Sequence, residues 1–120
     1  MNSERQLRAR RSYREDFIKQ CRQYEAARDI FLEAPASTSA ESAASFRDFI
    51  DLIAHVADNY PDLTASFPDE LATILSLHHA VLDAELREKI VVSLVLLRRK
   101  DIIDSSRYAI DAHTLAEESS

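Results

Sequence analysis

Apolar side chains in the first third of the chain recur at spacings of three, four and seven residues. This period places them on one side of an α-helix, and we predict a first helix over about residues 12–32. The pattern leaves open whether this helix extends back through Leu7. Ser12 suits its N-terminal cap, with Glu15 three residues later as in a capping box. Its apolar positions are Tyr13, Phe17, Ile18, Cys21, Tyr24, Ala27 and Phe31. The small, polar residues 34–40, including Pro35, predict a loop after it.

The same period returns in residues 41–59 and predicts a second helix. Pro61 ends this region, because the residue before a proline is displaced from the α-helical conformation. A third helix is predicted to begin with residues 67–70, where Pro68 and the acidic residues Asp69 and Glu70 suit a helix N-terminus. The predicted buried positions of the two helices are Phe46, Phe49, Ile50, Ile53, Val56, Ala57, Leu71, Ile74 and Leu75.

Residues 84–100 form the next apolar-periodic segment, and Asp83 is placed to cap its N-terminus. Its β-branched residues would suit a strand, but its length and the lack of a partner strand favour a fourth helix. The positions predicted to pack inward are Leu86, Ile90, Val91, Leu94, Val95 and Leu97. A fifth, shorter helix is predicted over residues 105–116, and the tail at 117–120 is predicted to be disordered.

These segments predict a basic N-terminal segment at residues 1–11, an all-α domain at 12–116 with a loop at 34–40, and the tail at 117–120. The second and third helices form one predicted pair, and the fourth and fifth form another. Each pair occupies about forty residues, the period of helical solenoid repeats. We therefore predict a helical-repeat fragment, a HEAT/armadillo-like α-solenoid. A small helical bundle is the alternative architecture.

The composition supports an all-α fold and excludes several other classes. The 120 residues include no glycine, the residue on which hairpin turns and phosphate-binding loops most depend. The most apolar run covers residues 90–97 and is interrupted by Ser93. A membrane-spanning helix needs about twenty apolar residues, so no membrane partner is predicted. Cys21 is the only cysteine and cannot form an internal disulfide, which fits a reducing compartment.

Charge is distributed unevenly within a formal net charge of −6. Residues 1–30 hold eight Lys/Arg against five Asp/Glu, and residues 31–120 hold seven against sixteen. The basic start is compatible with contact to RNA phosphates or an acidic protein, but we favour its interpretation as a solvated helix face or a frayed terminus. The cluster of Arg98, Arg99 and Lys100 allows a contact with RNA phosphate, but its position at a helix C-terminus explains it without a ligand.

No set of residues predicts a catalytic, cofactor-binding or metal-binding site. The adjacent histidines at 78–79 point about 100° apart on a helix, a poor geometry for one metal. His55 and Cys21 lie on or beside apolar faces and are interpreted as packing residues, not as a base or a nucleophile. The adjacent carboxylates at 69–70 and 117–118 occupy different helix faces. We therefore predict a non-enzymatic protein without a small-molecule substrate.

Six stretches have an order and spacing that resemble those of a known family. They are SYREDF at 12–17, FIDLIAHVA at 49–57, YP at 60–61, FPDEL at 67–71, LDAELR at 82–87 and SLVLLRRKDII at 93–103. The family is that of the nucleolar proteins named for severe depolymerization of actin, the Sda proteins. The chain is similar to their N-terminal region, and the similarity fades after about residue 105.

This resemblance implies a helical-repeat protein of the nucleus and nucleolus. Members of the family act, without enzymatic activity, in assembly of the large ribosomal subunit and its export from the nucleus. The implied partner is a pre-ribosomal large-subunit particle, through its ribosomal proteins, assembly factors or ribosomal RNA. A general protein-interaction adaptor, linked to actin cytoskeleton organisation or to transport, is the alternative function.

Overall fold

The computed structural model describes residues 2–100 and contains helices, with no strand, in that range. Helix α1 spans Asn2–Glu33, α2 spans Ala40–Val56, α3 spans Phe67–His78 and α4 spans Ala84–Arg99. Short 3-10 turns occupy Pro35–Ser37 and Ala57–Asn59. The all-α prediction is confirmed. The predicted fifth helix at 105–116 and the predicted tail at 117–120 lie outside the described residues.

Helix α1 begins well before its predicted start, at Asn2. The predicted cap at Ser12 and Glu15 is therefore wrong, since both residues lie inside the helix and are exposed. Residues 4–11 consist of Glu, Arg, Gln, Leu and Ala, which all favour helix. A helix forms there from intrinsic propensity, without the apolar period on which the prediction relied. The first buried side chain of α1 is Phe17, so the helix extends beyond the core.

Local signals position the other helix starts. The Ser39 hydroxyl accepts a hydrogen bond from the Ser42 backbone N–H at 3.1 Å and caps α2. Pro68 lies in the first turn of α3, as predicted. The Asp83 carboxylate accepts a hydrogen bond from the Leu86 backbone N–H at 3.4 Å, so the predicted cap of α4 is confirmed.

Side-chain contacts show that alternate helices run parallel. Tyr24 of α1 contacts Phe67 at the start of α3, with ring centroids 5.2 Å apart. Further along both helices, Phe31 contacts His78 at 6.0 Å. Ion pairs also join α2 and its following turn to α4 and its C-cap. Their residue numbers increase in the same direction along both helices, so α2 and α4 are parallel too. These pairs are Arg47–Glu85, Asp51–Lys89 and Asp58–Lys100.

The fold is therefore a stack of two antiparallel helix pairs, α1 with α2 and α3 with α4. One layer contains α1 and α3, and the other contains α2 and α4. Short connections at 34–39 and 79–83 join the helices of each pair, as is usual for antiparallel neighbours. Helix α2 packs against α1 and α4, and α4 packs against α3. The predicted helical-repeat architecture is confirmed, whereas the predicted pairing of the second helix with the third is corrected.

A core of aromatic and aliphatic side chains joins the four helices. Phe46, with 0% exposure, stacks on the rings of Tyr24 and Phe31, at centroid distances of 5.8 and 5.4 Å. Thr64 is also buried, and its hydroxyl donates to the Tyr60 carbonyl at 2.9 Å. The other large side chains of this core are Phe17, Ile50, Ile53, Phe67, Leu71, Ile74, Leu82, Leu86, Ile90 and Leu97.

Three side chains that were predicted to be apolar core positions are exposed. Tyr13 is 66% exposed because it lies on the part of α1 that precedes the core. Val91 and Val95 are 43% and 46% exposed. Both lie on the side of α4 that faces away from Leu86, since each residue turns the helix by about 100°. Ser93 instead occupies a buried position on α4.

Candidate functional site

The described histidines do not share one site, because His55 lies on α2 and the adjacent His78 and His79 at the end of α3 have different surroundings. Among the described side chains, no three His, Cys, Asp or Glu residues are grouped as metal ligands would be. The His78 ring lies edge-on against Phe31, whereas His79 is exposed. His55 is exposed rather than packed as predicted, and its Nδ1 lies 2.7 Å from the Asp51 backbone carbonyl. The arrangement therefore brings no imidazole to a shared site.

Cys21 is partly buried and packs against the core, which agrees with its interpretation as a packing residue. Burial raises the pKa of its thiol, and the negative charge of Glu25 adds to the increase. A raised pKa leaves less of the nucleophilic thiolate at neutral pH. The surroundings of Cys21 therefore suit packing and disfavour nucleophilic chemistry.

The adjacent carboxylates at 69–70 lie at the start of α3, where they were predicted. Glu70 forms an ion pair with Arg28 of α1 and accepts a hydrogen bond from the Ser66 hydroxyl at 3.1 Å. This network holds the start of α3 against α1 and was missed by sequence reasoning, because it needs the alignment of two distant helices. The carboxylates at 117–118 lie outside the described residues.

The basic cluster at the end of α4 is divided between two roles. Lys100 Nζ donates to the His55 backbone carbonyl, and to Asp58 Oδ1 at 3.1 Å. It therefore joins the end of α4 to the end of α2. Arg98 and Arg99 are exposed and have no ion-pair partner within the described residues.

Helix α4 exposes an apolar surface, which we call the valine face (Val91, Val92 and Val95). These side chains are 43%, 52% and 46% exposed, and their spacing of three and four residues places them on one side of the helix. Helices α2 and α3 pack on its other sides. A grouped apolar surface of this kind is typical of a protein contact. Within residues 2–100, no helix has the length and apolar content needed to cross a membrane.

A groove of about 500 Å³ lies between α1 and α3. Leu32, Ile74 and Leu77 form much of its lining, beside the Arg28–Glu70 ion pair. Leu77 is 71% exposed at its edge. Since an apolar lining binds by shape and burial, the groove suits a side chain or a short segment of a partner better than a reacting substrate.

The N-terminal arm (residues 2–16) extends α1 beyond the core. Arg14 anchors it by donating to Asp62 Oδ2 at 2.5 Å, and this hydrogen bond lowers the pKa of the Asp62 carboxyl. Just after the arm, Phe17 stacks on Tyr60 with ring centroids 4.6 Å apart. Both contacts are made to the connection between α2 and α3, and they fix the direction of the arm.

Most of the arginines of the arm face solvent. Those without an ion-pair partner within the described residues are Arg5, Arg8, Arg10 and Arg11. Sequence reasoning identified this basic segment, but it did not predict that the segment is helical and continuous with the folded part of α1. The arm, the valine face and the groove are thus the surfaces that the described fold offers to partners.

Comparison with known proteins identifies the family. The family described as "SDA1, HEAT repeat" matches residues 52–113, a range that includes α3 and α4. Protein SDA1 of Chaetomium thermophilum is 56% identical over 95 residues, which cover 79% of this chain. Protein sda1 of Schizosaccharomyces pombe is 45% identical over 78% of the chain. An SDA1 homolog of Nematostella vectensis is 36% identical over 72% of the chain.

These relatives are much longer than this chain, which spans 12% of the length of each of the three. The matched range includes the stacked pair α3 and α4, so the family and the observed architecture agree. The resemblance found in the sequence is confirmed as well, although the family match extends to residue 113, beyond the predicted limit at about residue 105. The chain therefore belongs to the SDA1 family, and α3 and α4 lie in the HEAT-repeat region of that family.

Proposed function

We propose that this chain is a non-enzymatic scaffold segment of a ribosome-biogenesis factor that acts in large-subunit (pre-60S) assembly and nuclear export. The proposed partner is the pre-ribosomal large-subunit particle, with its ribosomal proteins, assembly factors and ribosomal RNA. The proposed location is the nucleus and nucleolus. Because the chain spans 12% of the length of its relatives, the proposal concerns docking by this segment, as one part of a longer factor's work.

The observation that carries the proposal is the open stack of helix pairs in a member of the SDA1 family. In helical-repeat proteins each unit contacts its neighbours along the stack, and the remaining surface is used to bind partners. Here the helices that the structure describes leave the valine face of α4 uncovered (Val91, Val92 and Val95). The N-terminal arm exposes basic side chains at the other end of the described chain. Such surfaces support a scaffold, which acts by binding several partners at once.

An affinity pull-down tests this function directly. The tagged 120-residue chain is incubated with nuclear extract, and the recovered RNA and proteins are identified by sequencing and mass spectrometry. We expect enrichment of large-subunit precursor RNA and assembly factors over the tag alone. A matched variant, Val91→Ser with Val95→Ser, removes part of the exposed apolar face without changing the buried side of α4, and it should recover fewer protein partners.

Two outcomes would contradict the proposal. Circular dichroism first shows that the tagged chain is helical, so that a negative result reflects binding and not misfolding. Recovery of actin-associated or transport proteins without precursor RNA would favour the adaptor function instead. Recovery of neither class by the helical chain would mean that this segment does not dock by itself. That result would contradict the central claim of the proposal, which is that the segment docks.

A further inference from the structure

Four basic side chains form a stripe along the solvent side of α1. We call Arg8, Arg11, Lys19 and Arg22 the basic stripe. At about 100° per residue they occupy a sector of about 80°, centred nearly opposite Phe17, which faces the core. With a rise of 1.5 Å per residue, the stripe is about 21 Å long. It begins on the arm and continues onto the part of α1 that packs against the core, so the packed helix holds it rigid.

The charges of the basic stripe are not used within the described fold. All four side chains are exposed, and none of them has an ion-pair partner among the described residues. Arg14 and Arg28, which lie on other sides of α1, are instead paired with carboxylates. Glu15 is the carboxylate inside the stripe, between Arg11 and Lys19. Neither of the two paired arginines therefore lies within the sector of the basic stripe.

The composition of this side of α1 distinguishes between two kinds of partner. Across residues 8–22, the sector of the stripe contains no large apolar side chain, whereas protein interfaces usually have an apolar or aromatic centre. Nucleic-acid interfaces are more polar and far more positive. Arg98 and Arg99 differ in this respect, because they lie on the same helix as the exposed valines. The stripe fits a phosphate backbone better than it fits an acidic protein.

We propose that the basic stripe binds the phosphate backbone of RNA, without reading its sequence. Guanidinium groups pair well with phosphate oxygens, and no aromatic side chain accompanies the stripe to stack on bases. The inference rests on the proposed function for the source of that RNA, a large-subunit precursor. It adds to that function the surface that contacts the RNA, which is the basic stripe, and the part of the RNA that is bound, which is the phosphate backbone.

Fluorescence anisotropy with a labelled RNA duplex of about 20 base pairs measures this binding. With four phosphate contacts, each contributing about 0.7 to 0.9 to the slope of log K against log salt, we expect a slope near −3. Affinity should then fall about 60-fold between 50 and 200 mM salt. Duplexes of different sequence should bind alike, and polyglutamate should compete poorly at equal charge concentration.

Matched variants locate the contact. Arg8→Gln with Arg11→Gln should weaken binding at least tenfold and halve the salt slope, because two of the four contacts are lost. Arg98→Gln with Arg99→Gln makes the same change in net charge elsewhere and should alter affinity less than twofold. Glu15→Gln removes the carboxylate within the stripe and should strengthen binding several-fold. Circular dichroism checks that every variant stays helical.

The inference is overturned if both arginine double variants lose affinity equally, since net charge alone would then explain binding. Strong competition by polyglutamate, or a salt slope near zero, would also overturn it. The pull-down separates this inference from the proposed function. A stripe variant that binds no RNA but still recovers the large-subunit particle in full refutes the stripe's role and keeps the function. RNA binding by the stripe, in a chain that recovers no large-subunit particle, supports the stripe's role and refutes the proposed function.

Discussion

Replacement of Phe46 by alanine would remove the side chain on which two other core rings depend. Phe46 is fully buried, and it stacks on Tyr24 of the same repeat pair and on Phe31 near the end of α1. Loss of a buried Phe ring typically costs about 3 to 5 kcal/mol, because a cavity adds to the lost burial. Two aromatic contacts disappear with it, so we expect a loss of about 4 kcal/mol in the free energy of unfolding.

Urea denaturation followed by circular dichroism at 222 nm measures this loss. With an m-value of about 1.5 kcal/mol/M, the midpoint should fall by about 2 to 3 M. A domain of this size has a total stability of about 5 to 15 kcal/mol, so the variant is expected to be partly unfolded if the parent lies near the lower limit. Tyr13→Ala is the matched control, because it also truncates a helical aromatic side chain, but at a position that is 66% exposed.

The control should change the free energy of unfolding by less than about 0.5 kcal/mol, as is usual for surface positions. Equal losses for Phe46→Ala and Tyr13→Ala would refute the reasoning, because the two positions would then have similar burial. So would a loss below about 1 kcal/mol for Phe46→Ala, since a well-packed ring cannot be removed so easily. Comparison of the two variants thus tests where the core of α1 and α2 begins.

Four further predictions, three on substitutions and one on the reactivity of Cys21, test other parts of the fold. Leu97→Asp should unfold the chain, because it buries an unpaired charge at a position with 0% exposure, whereas Val95→Asp should leave helical circular dichroism unchanged. Tyr24→Phe should keep or raise stability in urea, by up to about 1 kcal/mol, because the buried Tyr24 hydroxyl has no hydrogen-bond partner among the described residues. Thr64→Val should lower stability by about 1 kcal/mol in the same assay, because the Ala57 and Tyr60 backbone carbonyls lose the hydrogen bonds that the Thr64 hydroxyl donates. Cys21 should react with a thiol reagent at pH 8 more slowly when folded than in urea, since burial raises its pKa; equal rates would contradict its packing.

The starts of α3 and α4 could be predicted because their signals are local. Pro68 and Asp83 act on backbone groups within a few residues of themselves, and both have the predicted position in the structure. The start of α1 was predicted wrongly for a related reason. An amphipathic period identifies the part of a helix that packs against a core. Residues 2–16 are helical but do not pack against the core, so the helix begins before the period does.

The neighbours of each helix could not be predicted from the pattern. Val91 and Val95 were predicted to pack inward together with Leu86 and Leu97, yet they lie on the opposite side of α4 and are exposed. In a stack of repeats a helix is apolar on more than one side, and composition alone does not tell which side is covered. The pairing of α1 with α2 was missed for the same reason, because the period identifies helices and not their contacts.

The candidate surfaces were predicted unevenly. Basic residues at the start of the chain were visible in the sequence, and the structure adds that Arg8, Arg11, Lys19 and Arg22 share one side of α1. That alignment depends on one helix running without interruption through Ser12, the position where a cap was predicted. The Arg28–Glu70 pair was not predictable at all, because its partners are 42 residues apart and meet only when α3 packs beside α1.

The ion pairs between the two helix pairs determine alignment more than stability. In the pairs of Arg47 with Glu85 and Lys89 with Asp51, at least one side chain is nearly half exposed or more, and such pairs contribute about 0 to 1 kcal/mol each. Burial of the Ile90 and Leu97 side chains supplies far more, about 1.5 to 3 kcal/mol each, but apolar contact is not directional. A shift of α4 by one turn along α2 would keep much of the apolar contact while separating every ion pair at once. The ion pairs therefore select one alignment among several of similar apolar burial, and this alignment fixes where the valine face lies relative to α2.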